Sequence, residues 1–216
     1  MKQGFGHGID DAILYQWGSE KLTVYHQQKY VRQFIGVPGR VLEIGCSHGV
    51  MLTLLKEAGL SVYGLDLSEN AVEMCRKKGL EAVHGDVLGH LRSLTASSLG
   101  GIFCAHVIEH LGPADALELI AESYRVLMPG GKIIFITPNA KDLRTTERFW
   151  LDITHVRLYP EKLLKILLTR QGFASVESFT DAEPARNIVE RIIKTIMRIW
   201  FLGYIFTGDL VVVAQR

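Results

Sequence analysis

The sequence predicts an α/β fold built around a parallel sheet, and three observations support this. Short apolar runs alternate with amphipathic stretches from about residue 40 onward, the order that is typical of β-α-β units. Three of these runs end in small or acidic residues, within residues 41–49, 64–67 and 85–87. The chain has 216 residues and a hydrophobic content of 48%, enough for one large core, so we expect one domain over residues 1–216.

The predicted strands are short apolar runs, often β-branched, that turn residues or charges interrupt. In chain order they cover residues 40–44, 61–65, 81–84, 102–107, 132–137, 173–179 and 210–214. The run at 102–107 is apolar throughout most of its length, which indicates a strand that is buried on both faces.

The predicted helices lie between these strands and carry start and stop signals. They run from Met51 to Gly59, from Ser68 to about Gly79, from Pro113 to the Pro-Gly-Gly segment 129–131, and from Pro160 to Gly172. Serine is a common N-cap, proline is favoured in the first turn, and glycine is favoured just after the last turn. In the third helix, residues Leu117, Ile120, Ala121 and Tyr124 are predicted to form the buried face.

Two segments lie outside this alternation. Residues 1–38 are predicted to form a helical cap over the sheet edge or the ligand, with a helix over residues 25–35. Residues 184–206 are predicted to be an amphipathic helical insert before the last strand. Its apolar face has Ile188, Val189, Ile192, Ile193, Ile196, Met197 and Trp200, and its polar face has Arg186, Glu190, Arg191, Lys194 and Arg198. The insert is too short to span a bilayer; it can pack on the sheet, on a dimer partner, or on a membrane surface.

Charge and cysteine content constrain the partners and the compartment. The 24 basic and 23 acidic residues leave a net charge of +1, so we expect no binding to nucleic acid through an overall field. The three cysteines Cys46, Cys75 and Cys104 are far apart in sequence and suggest neither a disulfide framework nor a thiolate metal site. Residues 1–10 lack the pattern of an export signal. We therefore expect a cytoplasmic protein.

Five residues at or near the predicted strand ends have the chemistry of a nucleoside site. Gly45 and Gly49 allow a sharp turn next to a helix N-terminus, but the turn lacks the middle glycine that admits a pyrophosphate. Asp66, about twenty residues after the turn, is placed to accept from both ribose hydroxyls. Asp86 can accept from the amine of adenine, and Glu43 can pair with a cationic amine. Taken singly, each aspartate fits a turn or a helix cap equally well.

The chain resembles the class I S-adenosylmethionine-dependent methyltransferases, in particular the small-molecule branch that includes the ubiquinone-biosynthesis and polysaccharide-pathway enzymes. Five motifs carry the resemblance, in the family's order, within about residues 37–139. They are Val-Leu-Glu-Ile-Gly-Cys-Ser-His-Gly at 41–49, Gly-Leu-Asp-Leu-Ser at 64–68, Gly-Asp-Val at 85–87, His-Val-Ile-Glu-His-Leu at 106–111 and Leu-Met-Pro-Gly-Gly at 127–131.

The resemblance implies a doubly wound, Rossmann-like sheet of seven strands in the order 3-2-1-4-5-7-6, with the last strand antiparallel and helices on both faces. It also implies the cofactor, S-adenosylmethionine, and its binding residues. The methionine portion would lie against Glu43, Gly45, Cys46, Ser47 and Gly49, the ribose against Asp66 and Leu67, the adenine against Asp86 and Val87, and the sulfonium end above His106. His48 with Ser47, in place of the commoner Gly-x-Gly pattern, departs from the family.

Three histidines are candidates for the proton acceptor in methyl transfer. His106 and His110 flank the end of the fourth strand, and His155 lies in a segment, 149–160, that resembles part of the cell-surface pathway methyltransferases. Histidine is the side chain best suited to proton removal at neutral pH. We take His155 and His110 as the candidate catalytic residues. Relatives with Glu-x-x-Glu-His at this position bind a divalent ion, but His106 replaces the first Glu, so we expect no metal.

The predicted function is methyl transfer, most simply to oxygen, on a small molecule or a glycan or lipid precursor. The acceptor segment would use its aromatic residues and Arg157 to hold a ring, a carboxylate or a phosphate. Two alternatives remain open. One is a nicotinamide-dependent oxidoreductase, which would need the missing glycine, and the other is a non-catalytic adaptor that binds the cofactor and acts through its amphipathic helix.

Overall fold

The computed structural model describes residues 20–182, 185, 187–201 and 207–216. Its centre is a seven-stranded sheet in the order β3-β2-β1-β4-β5-β7-β6, as predicted. All neighbouring strands are parallel except β7, which runs antiparallel to both β5 and β6. The strands are β1 (Arg40–Ile44), β2 (Val62–Asp66), β3 (Ala82–His84), β4 (Leu99–Ala105), β5 (Leu127–Thr137), β6 (Ser175–Asp181) and β7 (Asp209–Gln215).

Helices precede the sheet and connect its strands. They are α1 (Glu20–Val31), α2 (Val50–Glu57), α3 (Glu69–Lys77), α4 (Val87–Ser93), α5 (Pro113–Val126), α6 (Thr145–Leu151), α7 (Glu161–Gln171) and α8 (Ile188–Trp200), with 3-10 turns at Arg32–Phe34 and Ile108–His110. Within the described ranges, no helix is long and apolar enough to cross a membrane.

The core lies on both faces of the sheet because successive side chains of a strand point to opposite sides. Leu42, Ile102 and Phe135 pack on one face with residues of α5 and α7. Val41 and Phe103 pack on the other face with residues of α1 and α2. The sheet is therefore covered by helices on both sides, as the doubly wound fold requires.

The helix signals of the sequence work as predicted at several ends. The Ser68 hydroxyl accepts from the backbone N–H of Ala71 and caps α3, and Pro113 occupies the first turn of α5. Gly172 ends α7 with a φ of 112°, a backbone conformation that favours glycine.

Three sequence-based boundaries or faces were wrong. β4 begins at Leu99 rather than at 102, because Leu99 already pairs with Arg40 of β1 and Leu127 of β5. Gly101, inside the strand, leaves room for the Phe34 ring, which lies 2.5 Å from where a Cβ would be. The Pro-Gly-Gly segment does not separate α5 from β5; it lies inside β5, at an irregularity in the pairing with β4. In α5, Ile120 is buried as predicted, but Leu117 is exposed, and the rest of the buried face is formed by Ala116, Leu119, Ser123 and Val126.

Two short helices have no counterpart in the sequence-based map. α4 follows β3 directly, with Asp86 as its N-cap, and α6 lies in the segment after β5. Each has only seven residues, which is too short for a periodic apolar pattern to be recognised. Both lie next to the predicted ligand edge.

The two segments outside the alternation are described in part. The predicted N-terminal helix is present as α1, which buries Tyr30, and the 3-10 turn after it buries Phe34. The part of the cap at residues 1–19 lies outside the described residues. The predicted insert contains α8, whereas its residues 184, 186 and 202–206 lie outside them.

The three cysteines are free and buried, but two of them are close together in space. Cys46 follows β1, Cys75 lies in α3, and their Sγ atoms are 3.9 Å from each other. The sequence separation of 29 residues hides this proximity, because β2 and α3 bring the two back together.

Candidate functional site

The turn between β1 and α2, residues 45–49, forms the centre of the candidate site. Gly45 and Gly49 have φ values of 75° and 73°, where side chains are strained. A Cβ on Gly45 would lie 2.7 Å from the side chain of Val107, just beyond β4, and a Cβ on Gly49 would lie 2.6 Å from Leu80. The turn therefore needs both glycines, and its backbone lies close to the carboxyl end of β4.

Asp66, the last residue of β2, connects two turns through its carboxylate. Oδ2 accepts from the backbone N–H of Ser47, and Oδ1 accepts from that of Ser68, each at 2.8 Å. Because a carboxylate oxygen has two lone pairs, each oxygen keeps the capacity to accept from one more donor. Asp66 thus has a structural role and, in addition, the acceptor capacity that a pair of ribose hydroxyls requires.

Glu43, in β1, is buried to 4% exposure, and its Oε2 has no hydrogen-bond partner among the residues that the structure describes. Burial raises the pKa of this carboxyl group well above its ordinary value; Cys75 and Asp66 add to the rise, and the backbone N–H of Leu52 opposes it. A buried acceptor without a partner is destabilising. The position fits a ligand that brings a cationic donor, as an amino acid tail does.

Asp86 and Val87 lie at the end of β3, next to the same edge. Asp86 is the N-cap of α4, and its Oδ1 accepts from the backbone N–H of Gly89 at 2.7 Å. Leu67, one residue beyond β2, has a side chain that is 68% exposed. Asp86 is thus a helix cap, one of the interpretations that the sequence left open. The cap hydrogen bond uses one lone pair of the carboxylate, so the others remain available to a ligand.

His106, one residue beyond β4, is held in an unusual conformation between two carboxylates. Its φ is 54°, Nδ1 is 3.2 Å from Glu109 Oε1, and Nε2 is 3.5 Å from Asp209 Oδ2. Partial burial lowers the pKa of His106, whose side chain is 51% exposed, but Asp209 and Glu109 together outweigh this and raise it to about 9. The imidazole is therefore charged at neutral pH, which makes it a poor proton acceptor.

His110 and His155 lie side by side, with ring centroids 4.6 Å apart. The Thr154 hydroxyl donates to Asp152 Oδ1 at 2.6 Å, so at 2.9 Å it accepts from His110 Nδ1. His155 Nδ1 donates to the carbonyl of Phe149 at 2.7 Å. In neutral histidine the second nitrogen is then an acceptor, so both Nε2 atoms carry lone pairs.

The fold places these two histidines with a carboxylate. One ligand atom from each of Glu109, His110 and His155 lies within 4.8 Å of the others. The expectation of no metal considered Glu109 and His110 alone, because sequence spacing does not bring His155 to them. Glu109 already accepts from Thr137 through Oε2 and lies against His106 through Oε1. The three side chains have the composition of a divalent-ion site as well as that of a proton relay.

The segment around His155 packs against the turn that follows β4. The backbone N–H groups of Val156 and Arg157 both donate to the carbonyl of Glu109, and the Tyr159 hydroxyl donates to that of Leu111. Tyr159 is buried, whereas the side chain of Trp150 is 64% exposed. Trp150 and Arg157 are thus both exposed beside the histidines.

Sequence reasoning missed the acidic residues of the last two strands. Asp209 begins β7 and pairs in register with Asp181, the last residue of β6. Because β7 is antiparallel, its first residue reaches the edge where the parallel strands end. Asp181 accepts from the Tyr30 hydroxyl at 2.5 Å and pairs with Lys29. The predicted antiparallel last strand was the signal that could have indicated this.

Comparison with known proteins agrees with this geometry. A family model described as "Methyltransferase domain" matches residues 21–178. A ubiquinone biosynthesis O-methyltransferase of Vibrio parahaemolyticus is 27% identical over 172 residues, which cover 76% of this chain and 67% of that protein. The chain spans about half the length of other curated relatives that it matches, 49% for the protein of that name from Methylococcus capsulatus.

Solved structures give the same result. A SAM-dependent methyltransferase from Archaeoglobus fulgidus is 28% identical and superposes with a TM-score of 0.80 over 92% of this chain and 95% of that one. An S-adenosylmethionine-dependent methyltransferase from Mesorhizobium loti, 21% identical, shares the fold with a TM-score of 0.62 over 88% and 98%. The chain therefore belongs to the methyltransferase-domain family, among the class I enzymes that use S-adenosylmethionine as methyl donor.

Proposed function

We propose that this protein transfers the methyl group of S-adenosylmethionine to a hydroxyl oxygen of a small molecule or of a glycan or lipid precursor. The observation that carries the proposal is the buried, unpartnered Oε2 of Glu43 beside the two-glycine turn, with Asp66 at the end of the neighbouring strand. The relatives named ubiquinone biosynthesis O-methyltransferases support oxygen as the acceptor atom.

In this proposal the cofactor lies across the carboxyl edge of β1, β2 and β3. Glu43 pairs with the amino group of the methionine tail, and the turn that contains Gly45, Cys46, Ser47 and Gly49 follows that tail. The ribose lies at Asp66 and Leu67, and the adenine at Asp86 and Val87. The sulfonium end then points to His106, whose positive charge is compensated by Glu109 and Asp209.

Methyl transfer needs a hydroxyl in line with the sulfur–methyl bond and a group that takes its proton. The acceptor oxygen forms the new bond to carbon, the sulfur–carbon pair returns to sulfur, and the hydroxyl proton passes to a histidine. His110 is the better placed of the two candidates. Burial lowers its pKa, and Asp152 holds its Nδ1 proton through Thr154, which leaves Nε2 to receive a proton.

The cysteines support a cytoplasmic location for this activity. Cys46 and Cys75 are unbonded although their Sγ atoms are 3.9 Å apart, and Cys104 is free as well. Free thiols persist in reducing compartments.

Thermal unfolding with S-adenosylhomocysteine tests the proposed cofactor site. A ligand at about 100 times its dissociation constant adds about 2.7 kcal/mol to the stability, so the midpoint should rise, whereas NADH should leave it unchanged. Glu43→Gln should reduce the rise because the amide cannot neutralise the ammonium group. Glu81→Gln is the matched control, since Glu81 is exposed and pairs with Arg40 away from the turn.

Two results would contradict the proposal. The midpoint of the wild type could stay constant in S-adenosylhomocysteine, or Glu43→Gln and Glu81→Gln could both respond as the wild type does. Incubation of the protein with radiolabelled S-adenosylmethionine and a panel of phenols and sugars identifies the acceptor atom, because the label appears in the methylated product.

A further inference from the structure

Helix α8 turns its apolar face to solvent. At 100° per residue, seven apolar positions fall on one side of the helix. They are Ile188, Val189, Ile192, Ile193, Ile196, Ile199 and Trp200, and each is at least half exposed, up to 70% for Ile199 and 81% for Trp200. The sequence-based alternative in which this face packs on the sheet is therefore wrong for the described chain.

Two polar residues of the same helix, Glu190 and Lys194, are more shielded than this apolar face. Lys194 Nζ and Glu190 Oε1 form an ion pair at 2.8 Å, and their side chains are only 19% and 30% exposed. A helix of a globular protein normally does the reverse, because its apolar stripe faces the core. A contiguous exposed apolar face of this kind marks an interaction surface.

The charges of the segment indicate what covers this face. Residues 186–201 contain four basic residues and one acidic residue, in a chain whose net charge is only +1. Two copies joined through α8 would bring two basic segments together, whereas an anionic lipid surface attracts them. We propose that α8 docks this protein on the surface of an anionic lipid bilayer, with the helix lying in the plane of the interface.

The dimensions of α8 fit an interfacial position. A helix of 13 residues is roughly 20 Å long at 1.5 Å per residue, less than the roughly 30 Å of hydrocarbon in a bilayer. Trp200, at its end, is a residue that prefers the boundary between lipid and water. Interfacial helices have basic residues on one side and large apolar residues on the other, and α8 has the same composition.

The position of α8 in the chain connects docking to the candidate site. The chain leaves the sheet at Asp181 and returns to it at Asp209, and these two residues are paired in register. Asp209 Oδ2 lies 3.5 Å from His106 Nε2. A protein held through α8 would thus be attached at the edge of the sheet where the candidate site lies.

Co-sedimentation of the full chain with vesicles tests the docking. Vesicles of phosphatidylcholine mixed with phosphatidylglycerol should bind the wild type, and vesicles of phosphatidylcholine alone should bind it less. The double variant Ile192→Ser/Ile196→Ser should lower the partition coefficient about tenfold or more, because it removes two large apolar side chains from the lipid. Leu117→Ser/Ile166→Ser, two exposed aliphatic residues on α5 and α7, is the matched control and should bind as the wild type does.

Circular dichroism and light scattering complete the experiment. Both double variants should keep the wild-type helix signal, since all four positions are exposed. The proposal is overturned if the wild type stays in the supernatant, if Ile192→Ser/Ile196→Ser binds as the wild type does, or if neutral vesicles bind equally. A wild-type dimer that becomes a monomer in Ile192→Ser/Ile196→Ser, without vesicle binding, would assign the face to a second copy instead.

Discussion

His110 illustrates, at the scale of a single residue, how hydrogen bonds assign a chemical role. Its Nδ1 proton is directed to Thr154, whose own proton is directed to Asp152, so the free lone pair is on Nε2. We expect His110→Ala to lower kcat by about 10²–10⁴-fold, the range for loss of a general base, while the stabilisation by S-adenosylhomocysteine is unchanged. Steady-state kinetics and thermal unfolding measure the two quantities.

The neighbouring residues provide the controls for this prediction. His155→Ala should have a smaller effect on kcat, because the His155 side chain is only 11% exposed, its Nε2 lies 3.8 Å from Asp152 Oδ2, and its ring stacks on Phe149. Incubation with EDTA should leave the wild-type rate unchanged. A loss of activity in EDTA that added divalent ions restore would show instead that Glu109, His110 and His155 act as metal ligands.

His106 has the opposite electrostatic environment and predicts a pH dependence of stability. Its pKa is raised from 6.5 to about 9 because Asp209, Glu109 and the more distant Asp181 outweigh burial. Because this pKa is higher in the folded than in the unfolded protein, the charged imidazole stabilises the folded state fully below pH 6.5. This contribution is lost as the pH rises to about 9. The wild type should therefore lose stability over that range relative to His106→Asn.

Urea unfolding from pH 6 to pH 10, carried out on both proteins, measures this difference. Asparagine is the appropriate substitution because it tolerates the positive φ of this position better than most residues do. Equal pH profiles of the wild type and His106→Asn would show that the two carboxylates do not hold a charged imidazole.

At the scale of an element, α4 depends on Asp86 for its N-terminus, and the same residue is proposed to contact adenine. The two roles can be separated, because asparagine is as good an N-cap as aspartate. Asp86→Ala should lower the free energy of unfolding by about 1 kcal/mol, whereas Asp86→Asn should leave it nearly unchanged. Urea unfolding of the three proteins measures this.

Binding of S-adenosylhomocysteine then reports the second role of Asp86. If the carboxylate accepts from the adenine amine, Asp86→Asn should bind more weakly than the wild type while its stability is retained. Equal affinities of the wild type and Asp86→Asn would limit Asp86 to its role as the N-cap of α4.

For the whole molecule, the sequence predicts the sheet well because its signals are local. Strands and helices alternate in the predicted order, and the residues at helix ends, such as Ser68 and Gly172, lie where residue type alone indicates them. The Pro-Gly-Gly segment was misjudged because Leu127 already pairs with Leu99 of β4, so β5 begins before the segment, which forms an irregularity within the strand. The burial of α5 depends on where α7 packs, which no local pattern contains.

The candidate site could be predicted only where it follows strand ends. Glu43, Asp66 and Asp86 were found because parallel strands bring their carboxyl ends to one edge. The approach of His155 to His110, and of Asp209 to His106, depends on contacts across 45 and 103 positions of the chain. Such contacts arise from the path of the chain after β5. No local pattern indicates the first of them, and only the antiparallel direction of the last strand indicates the second.

The N-terminal cap and the sheet are expected to unfold as one unit, because Phe34 is fully buried in the cluster that contains Val41 and Phe103. Phe34→Ala should lower the free energy of unfolding of the whole chain by about 3–5 kcal/mol, with one transition seen by both circular dichroism and tryptophan fluorescence. The neighbouring Ile35→Ala should change it by less than about 0.5 kcal/mol, because Ile35 is exposed.

Gly101 provides a second test of this packing. A Cβ on Gly101 would lie 2.5 Å from the Phe34 ring, so Gly101→Ala should destabilise the wild type. In the Phe34→Ala background the ring is absent, and the same substitution should cost much less. If the Phe34 ring packs on β4, it is also the group that the added methyl of Gly101→Ala meets, so the effects of the two substitutions on the free energy of unfolding must be coupled. Two separate transitions in urea, or an equal cost of Gly101→Ala in both backgrounds, would mean that the cap is not part of the core.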